Sequence, residues 1–258
     1  MLLAVNVGNT NIRFGVYEDK KLIAHWKLGT NREWTSDEFG MYFVNFFKYE
    51  NLDISDIEAV IIASVVPPIM FSFEHAIQRY LKKDPIIIGP GIKTGINIKY
   101  ENPRELGADR IVNAVAAYDI YGGPIIVVDF GTATTFNAIS SKGEFLGGAI
   151  CPGIIISAEA LYMRTAKLPK IDLAKHEAVI GRNTSMGMQS GVFHGYVGQV
   201  NHLVNRIKQE MKEDKVKVVA TGGLAKFIAT ETDSIDEVNG RLTLEGLRII
   251  YEKNRNET

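Results

Sequence analysis

The chain has 258 residues, 46% apolar and 23% charged, the composition of a globular protein with enough material for a sizeable core. Its 29 lysines and arginines against 30 acidic residues leave no global positive charge to hold a nucleic acid or an anionic membrane, so a small-molecule partner is favoured. Cys151 is the single cysteine, which excludes an intramolecular disulfide and a cysteine-rich zinc site, and it reads as a small buried residue rather than a nucleophile.

Met1-Leu2-Leu3-Ala4-Val5 lacks the basic start and long apolar core of a signal peptide, and no apolar run reaches the ~18 residues of a membrane span. The expected location is the cytoplasm. Residues 2–5 predict a buried strand that runs into the polar glycine turn Asn6-Val7-Gly8-Asn9-Thr10. Residues 12–17 and 22–28 predict a second and a third strand. Thr35-Ser36-Asp37-Glu38 fits a capping box, and Phe39, Phe43, Phe46 and Phe47 follow near helical spacing, as core rather than as a ligand platform. A strand at 59–63, a helix at 68–82 and a short strand at 85–88 come next.

The pattern then repeats. Ile125-Ile126-Val127-Val128 leads into Asp129-Phe130-Gly131-Thr132, with Asp129 standing 123 positions after Asn6. Strands are predicted at 134–139 and 144–150, helices at 154–164 and 186–212, a strand at 216–220 and a closing helix at 244–254. Three strands followed by alternating helices and strands, found twice, predict an α/β fold of duplicated domains, taken as residues 1–115 and 116–258.

A glycine turn after a strand exposes backbone N–H groups and lets a phosphate approach where a Cβ would obstruct it. Gly8 and Gly131 sit at such turns. Asn9, Thr10, Asn11, Thr132, Thr134 and Thr135 can add donors, and Asp129 can hold a cation or its waters. One such turn reads first as a structural connection; two, one opening each half, point to a shared polyphosphate. Thr221-Gly222-Gly223-Leu224-Ala225 follows a strand and opens a helix, with room for a nucleotide base or ribose.

No G-x-x-x-x-G-K-[ST] motif occurs, and Asp129-Phe130-Gly131 lacks the companion motifs of protein kinases. Gly89-Pro90-Gly91-Ile92-Lys93-Thr94-Gly95 has the wrong glycine spacing for a dinucleotide fingerprint and reads as a turn. Gly107-Ala108-Asp109-Arg110 lies at the start of an apolar-periodic helix. There Asp109 reads either as a general base for an acceptor hydroxyl or as an acidic helix-start residue, and Arg110 can pair with an anionic acceptor. His25, His75, His176, His194 and His202 show no i,i+4 zinc spacing and read as structural.

Taken together, these motifs resemble the type III pantothenate kinases of the sugar-kinase, hexokinase and actin superfamily. Gly147-Gly148-Ala149 and Thr165-Ala166-Lys167-Leu168-Pro169 add to the resemblance, which covers most of the chain. It implies two RNase H-like, actin-like ATPase domains, each a mixed central sheet flanked by helices, that clasp ATP. It also implies phosphorylation of pantothenate to 4'-phosphopantothenate as the first step of coenzyme A biosynthesis, with Mg²⁺, activation by K⁺ or NH₄⁺, and a homodimer.

By the same resemblance Asn6, Val7, Gly8, Asn9, Thr10, Asn11, Ile12, Arg13 and Thr132 bind ATP, and Asp129 binds the monovalent cation. Asp109 is the catalytic base, and Tyr100, Gly107, Ala108, Asp109, Arg110 and Thr184 hold pantothenate. Position 6 departs from the family pattern, which has an aspartate before Val7-Gly8-Asn9-Thr10. Asn6 keeps the shape without the charge, weakening a Mg²⁺ contact that its carbonyl oxygen can still make. Two alternatives stay open: a nucleotide- or pantothenate-binding regulator, and a kinase for another hydroxyl acceptor.

Overall fold

The computed structural model describes residues 1–175 and 177–255, so His176 lies outside the described residues. Two compact units form, one of residues 1–96, 101–119 and 241–255, the other of residues 97–100 and 120–240. Both are built on a mixed sheet flanked by helices.

In the first unit the strands are β1 (Leu2–Val7), β2 (Asn11–Glu18), β3 (Lys21–Gly29), β4 (Ala59–Ser64) and β5 (Ile86–Ile87), in the order β3-β2-β1-β4-β5. The first three strands pair antiparallel, and β4 and β5 add on in parallel. Central β1 is apolar on both faces apart from Asn6, whereas edge β3 alternates exposed and covered positions.

Helix α1 (Ser36–Tyr49) starts at the expected capping box. Thr35 Oγ1 accepts from the Glu38 amide at 3.3 Å, and Glu38 Oε2 accepts from the Thr35 amide at 2.7 Å, a cap worth about 1 kcal/mol. Phe39, Phe43 and Phe47 bury one face of α1 against Phe14 and Phe73, with Phe73 from α2 (Pro67–Ala76). Helix α2 begins on Pro67 and Pro68, whose missing N–H groups cost nothing in a first turn, and continues as a π-helical turn at Ile77–Leu81.

Helices α3 (Ala108–Tyr121) and α7 (Leu242–Asn254) complete this unit up to Asp119 of α3. Reading the sequence as halves 1–115 and 116–258 assigned α7 to the second half. The described units differ: α7 packs on β1, β2 and β4. Gly246 lets α7 also approach α3, because a Cβ there would stand 2.1 Å from the Val112 carbonyl oxygen.

The second unit repeats the plan. Strands β7 (Ile125–Phe130), β8 (Ala133–Ile139), β9 (Glu144–Pro152), β10 (Lys217–Gly222) and β11 (Glu237–Val238) are joined by β6 (Asn97–Ile98), in the order β11-β10-β7-β8-β9-β6. The run β9-β8-β7-β10-β11 has the directions and connectivity of β3-β2-β1-β4-β5. Helices α4 (Ile154–Arg164), α5 (Thr184–Met211) and the five-residue α6 (Ala225–Ala229) flank it. Its core joins Val128, Phe130 and Phe136 of the sheet to Phe193, Tyr196 and Val200 of α5.

Candidate active site

In the first unit Gly8, Asn9 and Thr10 connect β1 to β2. The Gly8 amide donates to the Asn11 carbonyl at 3.0 Å, and a Cβ on Gly8 would meet that same oxygen at 3.0 Å. The end of β3 holds the turn from behind: Thr30 Oγ1 donates to the Gly8 carbonyl at 2.6 Å, and the Thr30 amide donates to the Thr10 carbonyl at 3.0 Å. Asn9 and Thr10 are thereby left exposed on a fixed backbone. Val7 and Ile12 form the register pair that opens the turn, and Arg13 stands cross-strand from Asn6.

Asn6 pairs with Ala63 on its other side, and its Oδ1 is buried without a partner in the protein. A buried amide oxygen without a donor is uncommon and marks a place where a ligand or its water belongs. Among the described residues no group of three or more His, Cys, Asp or Glu could hold a metal. Asn6 Oδ1 could accept from the waters of a phosphate-borne Mg²⁺; among the described residues a free divalent ion has no carboxylate and histidine cage.

Asp109 occupies the first turn of α3 in the same unit. The Val65 amide donates to the Val7 carbonyl at 3.1 Å, and Val65 Cγ1 lies 3.6 Å from where a Cβ on Gly107 would stand. Val65, just past β4, thus bonds to the end of β1 and has its side chain on the side of Gly107. Gly107 also leaves room for the Asp109 carboxylate, whose Oδ1 is 2.7 Å from that Cβ position. The Arg110 amide donates to Asp109 Oδ1 at 2.8 Å. Burial pushes the Asp109 carboxyl above its ordinary range, and the Arg110 N–H and guanidinium oppose this only in part. Such a group is a stronger base than an exposed aspartate. Arg110 is 6% exposed.

In the second unit Gly131 and Thr132 connect β7 to β8, and the Gly131 amide donates to the Ala133 carbonyl at 3.1 Å. Gly153 backs the turn as Thr30 does in the first unit: its amide donates to the Thr132 carbonyl at 3.0 Å, and a Cβ there would lie 2.4 Å from that oxygen. Thr132 is exposed. Asp129, the counterpart of Asn6, pairs with Thr135 on β8 and Thr221 on β10. Gly222 has φ +96°, and a Cβ on it would stand 2.6 Å from Asp129 Oδ1 and 2.5 Å from the Phe130 carbonyl oxygen. The Asp129 carboxylate is a hard oxygen donor of the kind a monovalent cation takes.

Tyr100 and Thr184 also belong to the second unit. The Tyr100 ring meets Phe145 edge-on at 6.1 Å, and Thr184 is the exposed first residue of α5, where the Asn183 side chain accepts from the Met186 amide at 2.9 Å. The structure therefore gathers Asn6–Arg13 with Gly107–Arg110 in one unit, and Asp129, Thr132, Tyr100 and Thr184 in the other. Cys151 is half-buried rather than buried, and burial raises its thiol above the ordinary value, which fits an unreactive role. Gly89–Gly95 is a turn, as expected.

Thr30 and Gly153 are not among the expected site residues, and Thr221 is expected only as part of a segment with room for a base or ribose. Thr221 had a signal, its place at the end of a strand before two glycines. Thr30 and Gly153 had none, because each reaches its turn through tertiary contacts.

Residues 2–206 match the model of the type III pantothenate kinase family. Solved structures with the same fold include a protein assigned to the Baf family of transcriptional activators from Campylobacter jejuni, 23% identical, with 98% of this chain and 99% of that chain covered and a TM-score of 0.62. An activator of 2-hydroxyisocaproyl-CoA dehydratase from Clostridium difficile, solved with bound ADPNP, is 10% identical over 99% and 96% of the chains, TM-score 0.55. A protein classed as an N-acetylglucosamine kinase from Porphyromonas gingivalis is 13% identical over 99% and 100%, TM-score 0.53. These likenesses identify the duplicated actin-like ATPase fold.

Proposed function

The chain belongs to the type III pantothenate kinase family of ATP-using phosphotransferases, and we propose that it transfers the γ-phosphoryl group of ATP to the primary hydroxyl of pantothenate. The observation that carries this reading is the half-buried Asp109, its carboxyl pushed up by burial, in the same unit as the Gly8–Asn11 turn at the end of β1.

In this mechanism Asn9, Thr10 and Asn11 donate to ATP phosphate oxygens, and Arg13 and Thr132 add to the hold on the nucleotide. Arg110 pairs with the pantothenate carboxylate, while Tyr100, Gly107, Ala108 and Thr184 shape the acceptor site. Asp109 takes the hydroxyl proton as the oxygen bonds to the γ-phosphorus and the bond to the β-phosphate oxygen breaks, releasing ADP. Asn6 Oδ1 would accept from the waters of an ATP-bound Mg²⁺ that would neutralise phosphate charge, and Asp129 would hold a K⁺ or NH₄⁺ ion that would add positive charge. The proposed product is 4'-phosphopantothenate, and the proposed place is the cytoplasm.

A homodimer is part of this reading, supported by exposed Ile150 on β9 and Ile155, Ile156, Leu161, Tyr162 and Met163 on α4. Its test is molar mass by light scattering. A second reading, a nucleotide-binding regulator without turnover, is favoured by the neutral amide of Asn6. Phosphorus-31 spectra of ATP and a panel of hydroxyl acceptors separate the two: a phosphomonoester formed from pantothenate supports the kinase, and binding with no new phosphoester supports the regulator.

A further inference from the structure

We propose that the Thr221 hydroxyl is a second oxygen ligand for the monovalent cation at Asp129; this rests on reading Asp129 as the cation site. Strand β10 runs parallel to β7 with Thr221 in register with Asp129, so the two side chains stand on the same face of the sheet on neighbouring strands. Thr221 is 0% exposed, and its Oγ1 has no partner in the protein. A hydroxyl buried in that way loses its water without gaining a bond unless a bound group restores one.

The neighbouring atoms define the chemistry of that group. Asp129 Oδ1 and the Phe130 carbonyl oxygen lie 2.6 Å and 2.5 Å from the point where a Cβ on Gly222 would stand, so both oxygens pack against the bare Gly222 backbone and any side chain there would displace the carboxylate. An anion there would meet the Asp129 carboxylate. A singly charged cation would meet a carboxylate and a hydroxyl, hard oxygen donors that such ions take.

The first unit provides an internal comparison. At the matching places β1 and β4 pair Asn6 with Ala63, so the carboxylate and the hydroxyl are both missing there. Charge and hydroxyl occur as a pair in the second unit alone.

The test uses the full chain and thallium(I), a K⁺ surrogate observed by ²⁰⁵Tl NMR, displaced by K⁺, in parallel with the K⁺ dependence of ADP release. Thr221→Val should raise the half-saturating cation concentration roughly tenfold or more, as expected for losing one oxygen ligand, while Thr221→Ser stays within about twofold of the parent. Asp129→Asn should abolish the cation signal. If Asp129→Asn loses the cation and Thr221→Val titrates like the parent, Thr221 is not a ligand and the Asp129 site stands alone. Unchanged titration in Asp129→Asn overturns the site and this inference together. Equal losses in Thr221→Ser and Thr221→Val, both folded by circular dichroism, assign the effect to packing and refute the oxygen's role. Should Thr221→Val not fold, Thr221→Ala is compared with Thr221→Ser by the same criterion.

Discussion

The Thr243 hydroxyl donates to Asn113 Oδ1 across 2.7 Å, with both side chains buried. Asn113 lies one helical turn beyond Asp109 on α3, so this bond fastens the proposed base-bearing helix to α7. Thr243→Val removes the donor at nearly constant shape and takes one partner from a buried acceptor. The expected loss in urea unfolding is about 1–3 kcal/mol, with most of it regained in Thr243→Ser.

Two glycines on helices should respond to alanine in opposite directions. Gly246 faces the Val112 carbonyl at close range, so Gly246→Ala must push α7 away from α3 and should cost about 1–3 kcal/mol, or more if the backbone cannot shift. Gly195, within α5, has nothing within 4 Å of its Cβ position, so Gly195→Ala should stabilise by about 0.5–1 kcal/mol through helix propensity. Thermal melts of the two variants check the signs.

Asp109 should trade stability for reactivity. Its folded-state pKa is raised, so its contribution to stability is fully present below the unfolded value and is lost as pH rises through the folded one. Asp109→Asn should therefore be more stable than the parent at neutral pH, and the gap should close on acidification below the ordinary carboxyl range. The base must be ionised to act, so kcat/KM of the parent should fall on the acid side at that raised pKa. In Asp109→Asn this limb should vanish and turnover should drop by about 10²–10⁴-fold. A parent-like rate in the folded variant would remove Asp109 from the mechanism.

Asn6→Asp adds a carboxylate where a buried amide oxygen now stands without a partner. Calorimetric titration with ATP in a chelator should show weaker binding than in the parent, because the new charge faces the triphosphate. Binding of the Mg²⁺ complex should be retained or improved, since the metal now meets a full charge. Equal affinities for both forms of ATP in both proteins would place Asn6 away from the phosphates.

Much of this architecture is legible in the chain because its two central strands are long apolar runs that end on a polar residue and a glycine. Asn6 and Asp129 mark those ends, and the turns, strands and α1 cap follow where the local pattern puts them. Local pattern is silent on partners. The apolar face of α7 shows that the helix is buried, yet only the approach of Gly246 to Val112 and the packing on β1, β2 and β4 show which sheet it covers. For the same reason neither the partial burial of Asp109 beside Gly107 nor the register of Thr221 with Asp129 can be read from the chain.

The central claim is tested most directly by ADP release from the purified chain with Mg²⁺-ATP and K⁺ or NH₄⁺, measured with and without pantothenate. ADP formed only when pantothenate is present, in equal amount to a phosphorylated pantothenate seen by mass spectrometry, is the predicted result. ATP binding with the same ADP release whether or not pantothenate is added would contradict it.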